Sequence, residues 1–166
     1  MTRQWLCALA WGSCLHYALK WGKSKRVGGW IVTKGTPPAQ VWHSLRARDA
    51  RALIKFLEDG FGFEVVMIIG EGKRVDHAQL AWPLGGGIFL GSVRDGDDDL
   101  TVPIPGGSGA YIVTDDPDGV FQRAKEAGAE ILLEPHDSPH GSRDFSVRDP
   151  EGNRWSFGTY RGVPVT

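Results

Sequence analysis

What the chain lacks narrows its class first. Only two of its 166 residues are cysteine, Cys7 and Cys14. The body of the chain therefore has no disulfide framework, no thiolate metal site and no cysteine nucleophile, which suits a reducing cytosol. Residues 1–39 contain no Asp or Glu but carry six basic side chains: Arg3, Lys20, Lys23, Lys25, Arg26 and Lys34. All 20 acids thus fall in residues 40–166, against 13 Lys and Arg, a net charge near −7. Phosphate binding needs a positive surface, so nucleic acid is not the expected partner. No apolar run reaches the ~20 residues that a membrane-spanning helix takes. Gly-x-Ser-x-Gly, Walker A and dinucleotide fingerprints are also missing, so no nucleophile elbow or phosphate cradle is expected.

Residues 1–37 read as an extension of uncertain order. Trp5, Trp11, Trp21 and Trp30, four of the seven tryptophans, fall here, and residues 5–19 are largely apolar. Three readings stand side by side: a leader that adds nothing to the fold, a short amphipathic helix, and a secretory signal. Cys7, Cys14 and His16 match no zinc-site spacing. Gly35-Thr36-Pro37-Pro38 then punctuates the chain before a domain at 38–162.

That domain repeats itself, with halves at 41–94 and 108–160. At an offset of 66, Asp49 maps to Asp115, Gly62 to Gly128, Glu64 to Glu130, Gly86 to Gly152 and Phe89 to Trp155. In the first half, strands are expected at 41–47, 63–69, 77–82 and 88–93. A helix at 50–59 follows an Asp49 N-cap and ends at Gly60 and Gly62. In the second half, strands are expected at 110–114, 130–133, 143–147 and 154–159. Its helix is capped by Asp115 or Asp116, with Pro117 in the first turn, where its missing N–H costs nothing. Asp149-Pro150-Glu151-Gly152-Asn153 forms the last turn, and Gly85-Gly86-Gly87 a tight turn between strands. Residues 95–105 link the halves; Asp97, Asp98 and Asp99 lack the glycine and closing glutamate of a calcium loop and read as a solvated charge run.

Two stretches carry a family resemblance. ARALIKFLEDGFGFEVV (50–66) resembles the first helix and following strand of the vicinal oxygen chelate superfamily, which includes glyoxalase I, extradiol dioxygenases and bleomycin-binding proteins. GSRDFSVRDPEGNRWSFGTY (141–160) resembles the closing hairpin of its glyoxalase/bleomycin-resistance branch. The resemblance implies an α+β fold in which two βαβββ repeats form a cupped mixed sheet around a small ligand. It also implies a homodimer, in some relatives with the site built across the two subunits.

Metal-using members need four His or Glu ligands, two from each half, with open positions for substrate. The positions that align with them are Trp42 (or His43 after a slip of one), Gln79, Gly109 and Ser156, which together offer no competent set. His136 and His140 flank Pro139 in a polar loop and read as plain loop residues.

Strand parity assigns the cup lining. Gln79 and Ser156 bring His77, Ala81, Arg154 and Gly158 to the same side; Trp42, Ser44, Tyr111, Ile88 and Leu90 are expected there too, with Trp155 and Phe157 on the helix side. Arg143 either closes over an anionic group or pairs with a nearby Asp. The expected ligand-binding residues are Trp42, Ser44, His77, Gln79, Tyr111, Arg143, Arg154 and Ser156, with no metal and no other cofactor. The expected function is small-molecule binding by sequestration, as in antibiotic resistance, of an aromatic or amphiphilic compound in the cytoplasm. The alternative is a metal-dependent lyase, isomerase or dioxygenase of the same superfamily, using His43 and His77.

Overall fold

Two glycine-closed helices and eight alternating strands organise the domain as two copies of one unit. The computed structural model describes residues 26–27, 30–31, 41–94, 104–139 and 141–163. The readings of Cys7, Cys14, His16, the aspartates at 97–99 and His140 lie outside these residues. The chain divides into two units, Met1–Pro37 and Pro38–Thr166. Within the first, β1 (Arg26–Val27) pairs antiparallel with β2 (Trp30–Ile31).

The second unit holds β3 (His43–Ala47), α1 (Ala50–Phe56), β4 (Glu64–Ile69), β5 (His77–Ala81) and β6 (Gly87–Ser92). It continues with β7 (Gly109–Val113), α2 (Pro117–Glu126), β8 (Glu130–Asp137), β9 (Arg143–Arg148) and β10 (Arg154–Gly158). The strand orders are β3-β6-β5-β4 and β7-β10-β9-β8, each with one parallel pair (β3·β6 and β7·β10) that the crossing helix makes possible. His136, expected in a loop, lies on β8, its Nδ1 3.1 Å from the Glu134 carbonyl.

The structure corrects the repeat by one residue. The helix N-caps are Asp49 and Asp116, which accept from Ala52 N and Gly119 N. The strand-joining turns match at the same spacing of 67: Trp82 N–H donates to Gly86 O and Asp149 N–H to Asn153 O. The spacing is 66 only from Gly62 and Gly128, the left-handed residues that close the helices, onward into β4 and β8. The first helix holds one extra residue, absorbed by a π-helical turn at Leu57–Phe61. Such single-turn bulges are how helices accept an insertion. The sequence offset of 66 caught this tail and misaligned the strands around it.

The helix-side faces of both sheets share one core. Phe61 packs edge-on against Trp155 and Phe157, as Phe63 does against Trp155, and Phe63 lies tilted against Trp82. Trp155, Phe157, Phe145, Leu80 and Val147 are fully buried. Gly60 lets the two helical segments approach: a Cβ there would lie 2.9 Å from the Ala127 Cβ.

The Asp149–Asn153 turn ties the halves together. Buried Asp149 accepts from the backbone N–H of Glu151 and Asn153, from Asn153 Nδ2 and from Trp155 Nε1, all at 2.9 Å. Glu151 then reaches the first half, accepting from Asp49 N at 2.7 Å and from Arg48 at 3.2 Å, where an anion also complements the N-terminus of α1.

Candidate functional site

The face of each sheet turned away from the core carries the candidate site. On β3, Leu45 and Ala47 are buried, so Trp42, Ser44 and Arg46 turn to the open face. The parallel register sets His43 opposite Ile88 and Ser44 opposite Phe89. Ile88 and Leu90, expected in the cup, are therefore core residues, and Phe89 takes the open position between them. The one-residue slip in the repeat caused this error, because it equated Phe89 with the buried Trp155 in place of Ile88.

Phe89 organises the first open face. Trp42 stacks on it with ring centroids 4.7 Å apart and planes within 4°. The His77 ring centroid lies 5.2 Å from it, and Gln79 is its cross-strand partner. Gly87 and Gly91 flank Phe89 on the same face. A Cβ at Gly87 would strike the Trp42 ring, and one at Gly91 the Arg46 guanidinium. The pattern Gly-x-Phe-x-Gly on a single strand was the available signal for this platform; its glycines mark where larger side chains lie across the sheet.

The second open face is hydroxylic. Ser146 and Ser156 oxygens lie 2.9 Å apart. The Tyr111 hydroxyl donates to Asp144 at 3.2 Å and accepts from Tyr160 N, while Ser142 donates to the same Asp144 oxygen at 2.6 Å. Arg154 is exposed beside this group. Arg143 is not part of it. It shares the parity of buried Phe145 and Val147, and it grips Asp118 of α2 with two bonds of 2.6 and 2.7 Å and Asp137 at 3.1 Å. Its hydrogen bond holds the Asp118 carboxyl below the usual carboxylate range. Of the two roles open to Arg143, the structure shows ion pairing.

The positions that the family resemblance aligns with metal ligands carry no set of donor side chains. Trp42, Gln79, Gly109 and Ser156 carry no imidazole or carboxylate, and the true counterpart of Ser156 at a spacing of 67 is Phe89. His43 faces the core, where Trp155 packs at its edge and Ser108 Oγ lies 2.5 Å from its Nε2; burial lowers its pKa. Among the described residues no three His, Cys, Asp or Glu side chains are grouped to hold an ion.

The sequence profile of the Glyoxalase/Bleomycin resistance protein/Dioxygenase superfamily matches residues 39–157. The chain belongs to this superfamily. Its glyoxalase-type fold is shared with TioX from Micromonospora sp. ML1, at 25% identity and a TM-score of 0.57, covering 71% of this chain and 97% of that one. A glyoxalase/bleomycin resistance protein from Streptomyces sp. CB03234 is 26% identical with a TM-score of 0.53, covering 70% and 96%. TnmS3, an antibiotic binding protein from the same Streptomyces strain, is 24% identical with a TM-score of 0.54, covering 76% and 97%, a likeness of fold alone. A search of curated proteins finds no match. Among the described residues no helix of this superfamily member is long and apolar enough to cross a membrane.

Proposed function

We propose that this protein binds an aromatic or amphiphilic small molecule without a resident metal and acts by sequestering it. The observation that carries this reading is the stacked Trp42–Phe89 pair, standing on the open face where a metal-using relative would present donor atoms. Aromatic faces provide large, stiff contact area for a planar ligand, and Ser44, His77 and Gln79 surround them with a few polar groups. The 26% identical glyoxalase/bleomycin resistance protein from Streptomyces supports an antibiotic-like ligand and a role in resistance, and TnmS3 is an antibiotic binding protein on the same fold.

The working unit in this reading is a homodimer. Each open face exposes large apolar side chains, Ile69 on the first sheet and Leu133 and Tyr111 on the second. Apolar surface of this kind favours coverage by a partner or a ligand. Tyr111, Arg154 and Ser156 of one face would then complete the pocket opposite Trp42. A domain without cysteine fits a cytoplasmic setting.

A thermal-shift screen of the full chain against aromatic and glycopeptide antibiotics tests this. Stabilisation by at least one aromatic compound, lost in Trp42→Ala and Phe89→Ala, is expected. Metal analysis after dialysis is the counter-test: a stoichiometric divalent ion in the purified protein overturns the metal-free reading.

A further inference from the structure

We propose that Arg46 is an anion-recognising residue, so that the ligand of the first open face carries a negatively charged group beside its aromatic part. The inference rests on the binding function proposed above and narrows its ligand class. Arg46 is half-buried on β3, opposite Gly91 in the parallel register. The missing side chain of Gly91 is what makes room: its Cβ would collide with the guanidinium. The group therefore lies across the sheet, over Gly91.

Among the described residues Arg46 has no hydrogen-bond or ion-pair partner. Its neighbours are otherwise engaged. Asp76, whose carbonyl lies close to Gly91, gives its carboxylate to Arg74 at 2.7 Å. Arg48, Arg143, Arg148 and Arg161 all hold carboxylates. Arg123 and Arg154 also lack a partner but are exposed, where water satisfies them. A half-buried arginine whose guanidinium donors have no protein partner is matched best by the two oxygens of a carboxylate or by a comparable oxyanion.

Position fixes the relation to the aromatic pair. Along a strand, residues two apart on one face are separated by about 7 Å. Gly91 is two residues beyond Phe89, so the anion site lies one such step from the stacked rings, on the side away from Trp42. The matching ligand is a flat ring system with a carboxylate, phenolate or enolate roughly one ring-width from its stacking surface.

The test uses pairs of probes: 2-naphthoate with 2-naphthamide and 9-anthracenecarboxylate with its amide, titrated calorimetrically into the full-length protein. Each acid is expected to bind about tenfold more tightly than its amide, the size of one charge-assisted hydrogen-bonded contact. In Arg46→Gln the acids should fall to the affinity of the amides, with the amides unchanged. Gly91→Ala, which keeps the charge but displaces it, should do the same. Circular dichroism confirms that each variant is folded. Equal binding of acid and amide to the unaltered protein overturns the proposal while leaving aromatic binding intact. So does a preference that survives Arg46→Gln, or one removed by Arg154→Gln instead. Failure of every probe to bind overturns the binding reading itself, and this inference with it.

Discussion

Gly91 and Gly158, 67 residues apart, are the same position in the two halves, and each makes room for a charged side chain on its open face. Gly91 lies under the Arg46 guanidinium, and Gly158 under the Asp144 carboxylate and the Tyr111 hydroxyl. The duplication has kept the glycine and reversed the sign of the charge above it. The two sites differ in rigidity. Arg46 ends a long flexible chain, whereas Asp144 is short and held by Ser142 and Tyr111. Gly158→Ala is therefore expected to destabilise the fold by about 2 kcal/mol through overpacking, and Gly91→Ala by well under half of that. Urea midpoints of the two variants measure the contrast.

Asp149 is the most heavily bonded side chain of the closing turn. Asp149→Ala leaves two backbone N–H groups, an amide and the buried Trp155 indole without their acceptor. A loss of about 3 kcal/mol or more is expected, since each buried donor left unpaired costs roughly 1–3 kcal/mol. Chemical denaturation reads it directly. A variant as stable as the parent would remove the turn from its role as the tie between the halves.

His43 gives stability a pH dependence. Burial disfavours its charged form, so its folded pKa lies below the unfolded value of 6.5. The unfolded chain then binds the extra proton between those two values. The His43 contribution is whole above 6.5 and is lost as pH falls from there through the folded pKa. Between about pH 7.5 and pH 5, the denaturation midpoint should fall further in the parent than in His43→Gln. Parallel slopes would mean that His43 titrates alike in both states.

Gly60 is the point of closest approach between the π turn and α2. Gly60→Val places two methyl groups against Ala124 and Ala127 and is expected to cost about 2 kcal/mol by overpacking. Its unfolding midpoint in urea should drop accordingly.

The helices, their Asp caps and closing Gly62 and Gly128, the eight strands and the closing turn were legible in the sequence, because caps, turns and alternation are local effects of a few neighbouring residues; Gly60, expected to help end the first helix, lies inside its π turn. The family was legible for the same reason: the turn at 149–153 needs its Asp, Gly and Asn in fixed order to close. Trp42, Gln79 and Ser156 were placed on the open faces by the family resemblance, and parity extended the placement to Ser44, His77, Tyr111 and Arg154. The sequence could not count the extra residue hidden in the π turn, since a helix absorbs it without changing composition or caps. That single residue decided whether Phe89 or Ile88 faced the core, because a strand exchanges its faces with every one-residue slip. Tertiary structure likewise decided the arginines. Arg143 and Arg46 look alike in sequence, but packing brings Asp118 and Asp137 to the first and only a glycine to the second.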